Sequence, residues 1–369
     1  MKKINILFSP LLFLTPLLSF SDTNIISNQK GNLTIGGNIE FNVNYQDKDY
    51  NDGDKEFNQD GRVLVDLEGN KYLKNGHFVK IKAQPLFEST GNVNLDDAYF
   101  EFGEIDGWII KVGRYESYDM FPVGLDVFLE YSGDTSNELY LDGSAYSYQM
   151  KEGRGRGSDG QLMYYEDFGN LYFELGAMLG DRSDLFADSN GSKRYHGENI
   201  IETKDSVLIR PVIAYKVNNI KLALSMETNL VKNAIVDENG TDISDRLGYG
   251  FTTNWKNDNL SINFNMAYMD AVEESNFSTG INAVWKKFGL GYVYSYNKYD
   301  DDNWADGSVN LSTIYTSYRF DNMLEIEDFS ILLGAYYTTA SNDLDTQSIN
   351  ADFEEDSDYG FRVRFFYSF

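Results

Sequence analysis

Two sets of charged residues in this 369-residue chain are suited to setting up a field across a narrow opening, and neither suits covalent chemistry. The first is basic: Arg62, Lys80, Lys82, Lys111, Arg362 and Arg364. The second is acidic, Asp119, Asp126 and Glu130, within a segment that also carries Tyr118, Phe121 and Phe128. Opposed arrays of fixed charge order water, favour polar solutes and filter ions by sign. Aromatic faces beside them could stack on the C–H surfaces of sugar rings. More often such aromatics hold a segment against a wall by burying apolar area.

Catalysis has little to work with. The histidines are His77 and His196, neither in a Ser/Asp setting, and there is no cysteine. A positioned nucleophile, a general base and a ligand set with metal-binding spacing are all missing from the sequence pattern. We therefore expect no enzyme, no cofactor and no metal. The acids near the C-terminus (Asp343, Asp345, Asp352, Glu354, Glu355, Asp356, Asp358) lack the compact spacing of a calcium loop and read as a solvated face.

The elements that must position these residues have a period of two. Tyr359, Phe361, Val363, Phe365, Tyr367 and Phe369 alternate with Gly360, Arg362, Arg364, Phe366 and Ser368, so one strand face is apolar and the other carries two arginines. Leu33, Ile35, Ile39, Phe41, Val43 and Tyr45 form a second such face, opposite Thr34, Asn38, Glu40, Asn42 and Asn44. Near the middle, Leu247–Trp255 turns through Lys256-Asn257-Asp258-Asn259 into Leu260–Tyr268 as a hairpin, and Phe277–Trp285 does the same through Lys286-Lys287.

Composition points the same way. Lys and Arg number 31 against 58 Asp and Glu, a formal net charge of −27, which excludes a nucleic-acid binder. With 27 Tyr and 25 Phe the chain is not a disordered acidic polymer. High aromatic content with negative mean hydropathy conflicts in a soluble protein. A barrel in lipid resolves the conflict, because alternate residues face hydrocarbon while their neighbours face water. Met1-Lys2-Lys3, the apolar run Ile4–Leu18 and Ser19-Phe20-Ser21 read as a signal peptide over 1–21, cut before Asp22 and followed by one barrel domain over 22–369.

Short turns alternate with longer polar segments: Gln46–Asp60, Glu88–Asn94, Glu116–Asp159, Asp181–Asp205, Glu227–Asp245, Met269–Asn276, Asn297–Ser308 and Thr339–Asp358. Together they join about sixteen antiparallel strands, an all-β transmembrane barrel with both termini at one end. Inward parity puts Arg62 on strand 2, Lys80 and Lys82 on strand 3, Lys111 on strand 5 and both C-terminal arginines on strand 16. Closure makes strand 16 a neighbour of strand 1, so the cations share one arc of wall, with Glu40, Asp66 and Glu68 among them.

One stretch is familiar. Asp97–Gly103, the turn Glu104-Ile105-Asp106-Gly107 and Trp108-Ile109-Ile110-Lys111-Val112-Gly113-Arg114 resemble the strand–turn–strand of Gram-negative outer-membrane porins that ends in Leu-Gly-Arg, with Val112 in the Leu position. The terminal Phe369 is similar to the assembly signal of such proteins. The resemblance implies a general-porin-like, 16-stranded, trimeric pore in the outer membrane, narrowed by an inward-folded third extracellular loop. Such a pore passes small hydrophilic solutes and ions by passive diffusion. It also implies lipid, lipopolysaccharide and the outer-membrane assembly machinery as partners. Tyr118-Asp119-Met120-Phe121-Pro122 departs from the usual general-porin loop, leaving a raffinose- or maltoporin-like carbohydrate porin as an alternative. A non-conducting adhesin or structural barrel is the third reading.

Overall fold

The computed structural model describes residues 23–28, 31–48, 53–128, 147–153, 160–186, 193–202, 204–301, 304–346 and 355–369. The period-two stretches form strands, because β-branched and aromatic side chains fit a pleated surface. In chain order they are β1 (Gly31–Lys48), β2 (Gly53–Tyr72), β3 (His77–Glu88), β4 (Val93–Glu104) and β5 (Trp108–Arg114). After the third loop come β6 (Gln161–Asp167), β7 (Leu171–Gly180), β8 (Ser206–Val217), β9 (Ile220–Asn229) and β10 (Leu247–Lys256). The last six are β11 (Leu260–Ala271), β12 (Glu274–Trp285), β13 (Phe288–Asp301), β14 (Ala305–Phe320), β15 (Phe329–Asn342) and β16 (Glu355–Ser368).

Each strand pairs antiparallel with the next, and β16 returns to β1 with registers running from Asn38↔Ser368 to Lys48↔Asp358. Among the described residues, sixteen strands thus close one barrel. Closure satisfies every strand edge, which hydrocarbon demands of a backbone it surrounds. The register follows the alternation. Tyr359, Phe361, Phe365 and Tyr367 are exposed on the outside, whereas Arg362, Phe366 and Ser368 are buried inside. A lipid-facing charge at mid-membrane costs about 2–4 kcal/mol, so a one-residue slip that turned both arginines outward would be prohibitive. Outward aromatics pair across strands, as Tyr45 and Phe361 do at 5.3 Å.

Several expected loops are strand instead. β1 and β2 extend to Lys48 and Gly53, β11 and β12 meet at the two-residue turn Val272-Glu273, and β13 pairs with β14 as far as Asp301↔Ala305. The physical reason is simple. Once a strand emerges from hydrocarbon both its faces are wet, so the hydrophobic alternation fades while the backbone ladder continues. At the opposite, turn end, a short strand Thr23–Asn28 pairs with the start of β1, beyond the point where Phe369 meets Gly37. At the loop end, Arg194–Tyr195, Glu198–Glu202 and Ile235–Asp237 form a small separate sheet.

Candidate functional site

The interior is shaped by the third loop. It leaves β5 at Gly113, whose φ of +127° is costly for any residue with a Cβ, and whose Cβ would collide with the Ala98 carbonyl. The chain then runs along the inner wall. Tyr118 N–H donates to Glu174 of β7 at 3.1 Å, and Arg210 of β8 donates to the carbonyls of Tyr118 (2.5 Å) and Lys151 (2.7 Å). Asn265 of β11 and Asn282 of β12 donate to the Pro122 carbonyl at 2.8 and 2.7 Å. The Tyr315 hydroxyl of β14 donates to Val123 O at 2.8 Å, and Arg362 of β16 donates to Val127 O at 2.6 Å.

Apolar contacts follow the same path. Met120, Phe121, Val127, Phe128, Tyr148 and Met150 are almost wholly buried against inward small and apolar wall residues such as Val212, Ala267 and Val293. The wall is cut to fit: Gly280 lies under the Phe121 ring, and a Cβ on Gly289 would stand 2.7 Å from Leu125 Cβ. The described part of the loop therefore lies along the inner face from β7 to Arg362 of β16. It leaves open β1 to β5 and the neighbouring Arg364 of β16.

On that open arc the charged residues form a ladder. Arg62 lies 3.3 Å from Glu40, Arg364 3.5 Å from Glu40, Lys80 2.7 Å from Glu68, Lys82 3.4 Å from Asp66, and Lys111 3.4 Å from Glu101. Strand register produces these pairs: Lys80, Glu101 and Lys111 sit in one row across β3, β4 and β5, and Glu68, Lys82 and Tyr99 in the next. The Lys111 ammonium also stands over the rings of Tyr99 (4.7 Å), Tyr165 (5.4 Å) and Tyr115 (5.6 Å). The interior thus has a zwitterionic wall on one side and a packed loop on the other.

A closed antiparallel barrel with a loop folded into it has known counterparts. The sequence model of the family described as porin-like glycoporin RafY matches residues 33–369. The chain belongs to that family. Solved structures of the same fold include the anion-selective porin from Comamonas acidovorans, with a TM-score of 0.59 at 13% identity over 92% of this chain and 100% of that one. The outer-membrane channel DcaP of Acinetobacter baumannii gives 0.59 at 12% identity, covering 93% and 99%. OmpT of Vibrio cholerae gives 0.55 at 10% identity, covering 94% and 100%. At such identities the likeness is one of fold. No curated protein sequence matches significantly. The porin is an outer-membrane channel of a Gram-negative bacterium.

Within the porin, several expected site residues take other places. Arg362 points inward but does not line the lumen. Its side chain is 1% exposed against 30% for Arg62, because loop 3 covers it: it bonds Asn44 Oδ1 and Val127 O at 2.6 Å and lies under the Phe128 ring. Tyr118, Phe121 and Phe128 are buried between loop and wall, as loop-holding aromatics would be, and do not offer sugar-stacking surfaces.

Two of the loop acids bond within the loop. Asp119 accepts the Phe121 N–H at 2.9 Å, and burial, with Glu152 beside it, holds its carboxyl well above the usual carboxylate range. Asp126 likewise turns back to the Phe128 N–H at 2.8 Å. Glu130 lies outside the described residues. Phe369 is half-buried at the turn end, its backbone paired with Gly37.

Sequence reasoning also missed Arg210, Glu174 and Tyr315, which anchor the loop. The signal was there for one of them. Arg210 is a lone charge on the otherwise apolar inward face Leu208, Val212, Ala214 of β8. A cation in such a row calls for a partner from elsewhere in the chain.

Proposed function

We propose that solutes cross this channel between loop 3 and the β1–β5 wall, and that the corridor suits neutral, hydroxyl-rich molecules of the carbohydrate class. One observation carries the reading: the cations Arg62, Lys80, Lys82, Lys111 and Arg364 each have a carboxylate of the same wall within 2.7–3.5 Å. Paired charges cancel at a distance yet still offer donors and acceptors at contact, so the wall binds hydroxyls without sorting ions strongly. Tyr99 and Tyr165, partly exposed beside Lys111, supply aromatic faces at the same level. The family's glycoporin description is consistent with this reading. Passage is passive, and no catalytic step is invoked.

In the cell, we propose that residues 1–21 are removed on export, that Phe369 presents the terminal strand to the assembly machinery, and that the outward band sits in lipid and lipopolysaccharide. We further propose a homotrimer; one solved form of OmpT from Vibrio cholerae is described as a trimer. Chemical cross-linking of the protein in detergent checks this, with a ladder ending at three copies expected.

The transport reading is tested by liposome swelling with neutral sugars and with charged solutes of matched size, alongside reversal potentials in a salt gradient. Sugars should enter faster than either charged series, with a small reversal potential. A large reversal potential together with slower sugar entry would replace this reading with an ion-selective pore. Absence of any conductance would favour the adhesin.

A further inference from the structure

A second cluster of titratable side chains stands at the loop end, away from the corridor. Loop 4 carries His196 between two aromatic planes, Tyr195 at 4.1 Å and Trp304 at 4.4 Å between ring centroids, both nearly parallel to the imidazole. That sandwich fixes the ring plane, so both ring nitrogens have defined targets. Nε2 lies 3.2 Å from Glu274 Oε2 at the start of β12, and Nδ1 lies 3.0 Å from Asp301 Oδ2 at the end of β13. The exposed Glu273, in the β11–β12 turn, completes a group whose ligand atoms with those of His196 and Asp301 all fall within 4.8 Å of one another.

The two carboxylates facing His196 are not equivalent. Glu274 Oε1 is held by Arg246 at 3.1 Å and Asn276 at 2.9 Å, so it is a satisfied anion that accepts the Nε2 proton. With Nε2 protonated, a neutral imidazole turns the Nδ1 lone pair toward Asp301, itself an acceptor. Glu273 brings a third acceptor from the β11–β12 turn. Acceptors converging in this way call for a cation between them. A carboxylate that fixes the tautomer from behind is also the usual support of a metal-bound histidine.

We propose that His196 Nδ1, Asp301 and Glu273 form a binding site for a divalent transition-metal ion of the Zn2+ type. One nitrogen and two carboxylates, with the remaining positions left to water, make a donor set of borderline softness that favours such an ion over Mg2+. Two carboxylates offset the +2 charge, and the Arg246–Glu274 pair is already neutral. Glu274 is a positioning residue, since it reaches the ion only through the imidazole. The ion ties loop 4 to the ends of β11, β12 and β13 and so braces that side of the mouth. The Tyr195 hydroxyl, which donates to Val272 O, already marks the same path. The sequence pattern hides the site, because its residues lie at 196, 273 and 301.

The test uses the full-length channel purified in detergent, stripped with chelator and titrated with Co2+ and Zn2+. Expected is one Co2+ per protomer with visible d–d absorption, displaced by Zn2+ and not by excess Mg2+. Glu273→Gln, an exposed turn substitution that leaves the barrel intact, should weaken binding about tenfold or more, and Glu274→Gln by about 10–100-fold. His77→Gln, at the other end of the barrel, should change nothing. Trypsin cleavage after Lys193 and Arg194, which adjoin the site in loop 4, should slow when Zn2+ is added to the parent protein and not to the Glu273 variant. The proposal is overturned if Co2+ gives no absorption change, or if binding is the same in Glu273→Gln and Glu274→Gln as in the parent. In either case His196 is a structural clamp between its carboxylates.

Discussion

The inner wall of this barrel is two different surfaces on one sheet. From β1 to β5 it carries alternating acids and bases that face water and pair with each other across strands. From β7 to β16, Arg364 excepted, it carries mainly small residues, asparagines and apolar side chains that face loop 3. The two arcs share backbone geometry, hydrogen-bond ladder and outward lipid band. What differs is whether the inward residue meets solvent or protein. A charge on the first arc is stabilised by a neighbour and by water. Buried charges on the second, such as Arg210 and Arg362, donate to loop carbonyls, and Arg362 also to Asn44.

The largest effect should come from erasing the contrast. Deleting residues 119–128, the part of loop 3 seated on the second arc, should raise single-channel conductance severalfold while the barrel still assembles. Unchanged conductance in planar bilayers would mean that the corridor is not bounded by the loop.

Next in size is the loss of one anchor. Arg362→Met leaves the buried Val127 carbonyl and Asn44 without their donor, at about 1–3 kcal/mol per unsatisfied group. Arg210→Met does the same to Tyr118 and Lys151. Both variants should show lower thermal stability and noisy, larger conductance steps. Quiet traces of parental size would show that loop 3 is held by its apolar contacts alone.

Neutralising the first arc should do less. The triple variant Arg62→Gln, Lys82→Gln, Arg364→Gln leaves Glu40 and Asp66 unpaired, so the reversal potential should shift toward cation preference. Adding Glu40→Gln and Asp66→Asn should bring it back. Because the charges are close to the solute path, the shift should survive salt at which the Debye length falls below about 10 Å. A reversal potential that does not move in the triple variant would place these side chains off the conduction path.

The smallest effect concerns Asp119. Its carboxyl is raised in the folded loop, so the docked loop binds that proton more tightly than the free chain does. Docking is therefore most favourable at acid pH. It weakens as pH climbs from the ordinary carboxylate pKa through the raised one, above which the cost is fully felt. Asp119→Asn should remove that slope from a plot of gating noise against pH, and an unaltered slope would assign the pH response to another group.

Arg362 and Arg364 measure how much of this was legible in the sequence. They sit two residues apart with the same parity, and the alternation around them put both on the inner face of β16, where both are. Local chemistry settles that much, since a strand has only two faces and lipid rejects charge. The same reasoning yielded the strand number, the closure of β16 on β1 and the arc shared by Arg62, Lys80, Lys82 and Lys111. It misjudged loop lengths where strands continue into water, because there no difference between the faces remains to be read. It left Tyr118, Phe121 and Phe128 open between wall contacts and solute contacts, because a buried and an exposed aromatic are spelled alike.

Only the tertiary structure separates the two arginines. Arg364 lies on the open ladder, bonded to Asn42 at 2.8 Å and near Glu40, while Arg362 is closed under Val127 and Phe128, more than two hundred residues away in the chain. The course of loop 3 across ten strands is a sum of many weak contacts between distant segments. No local pattern encodes it. Period two decided which side of the wall each residue takes, and long-range packing decided whether that side is wet.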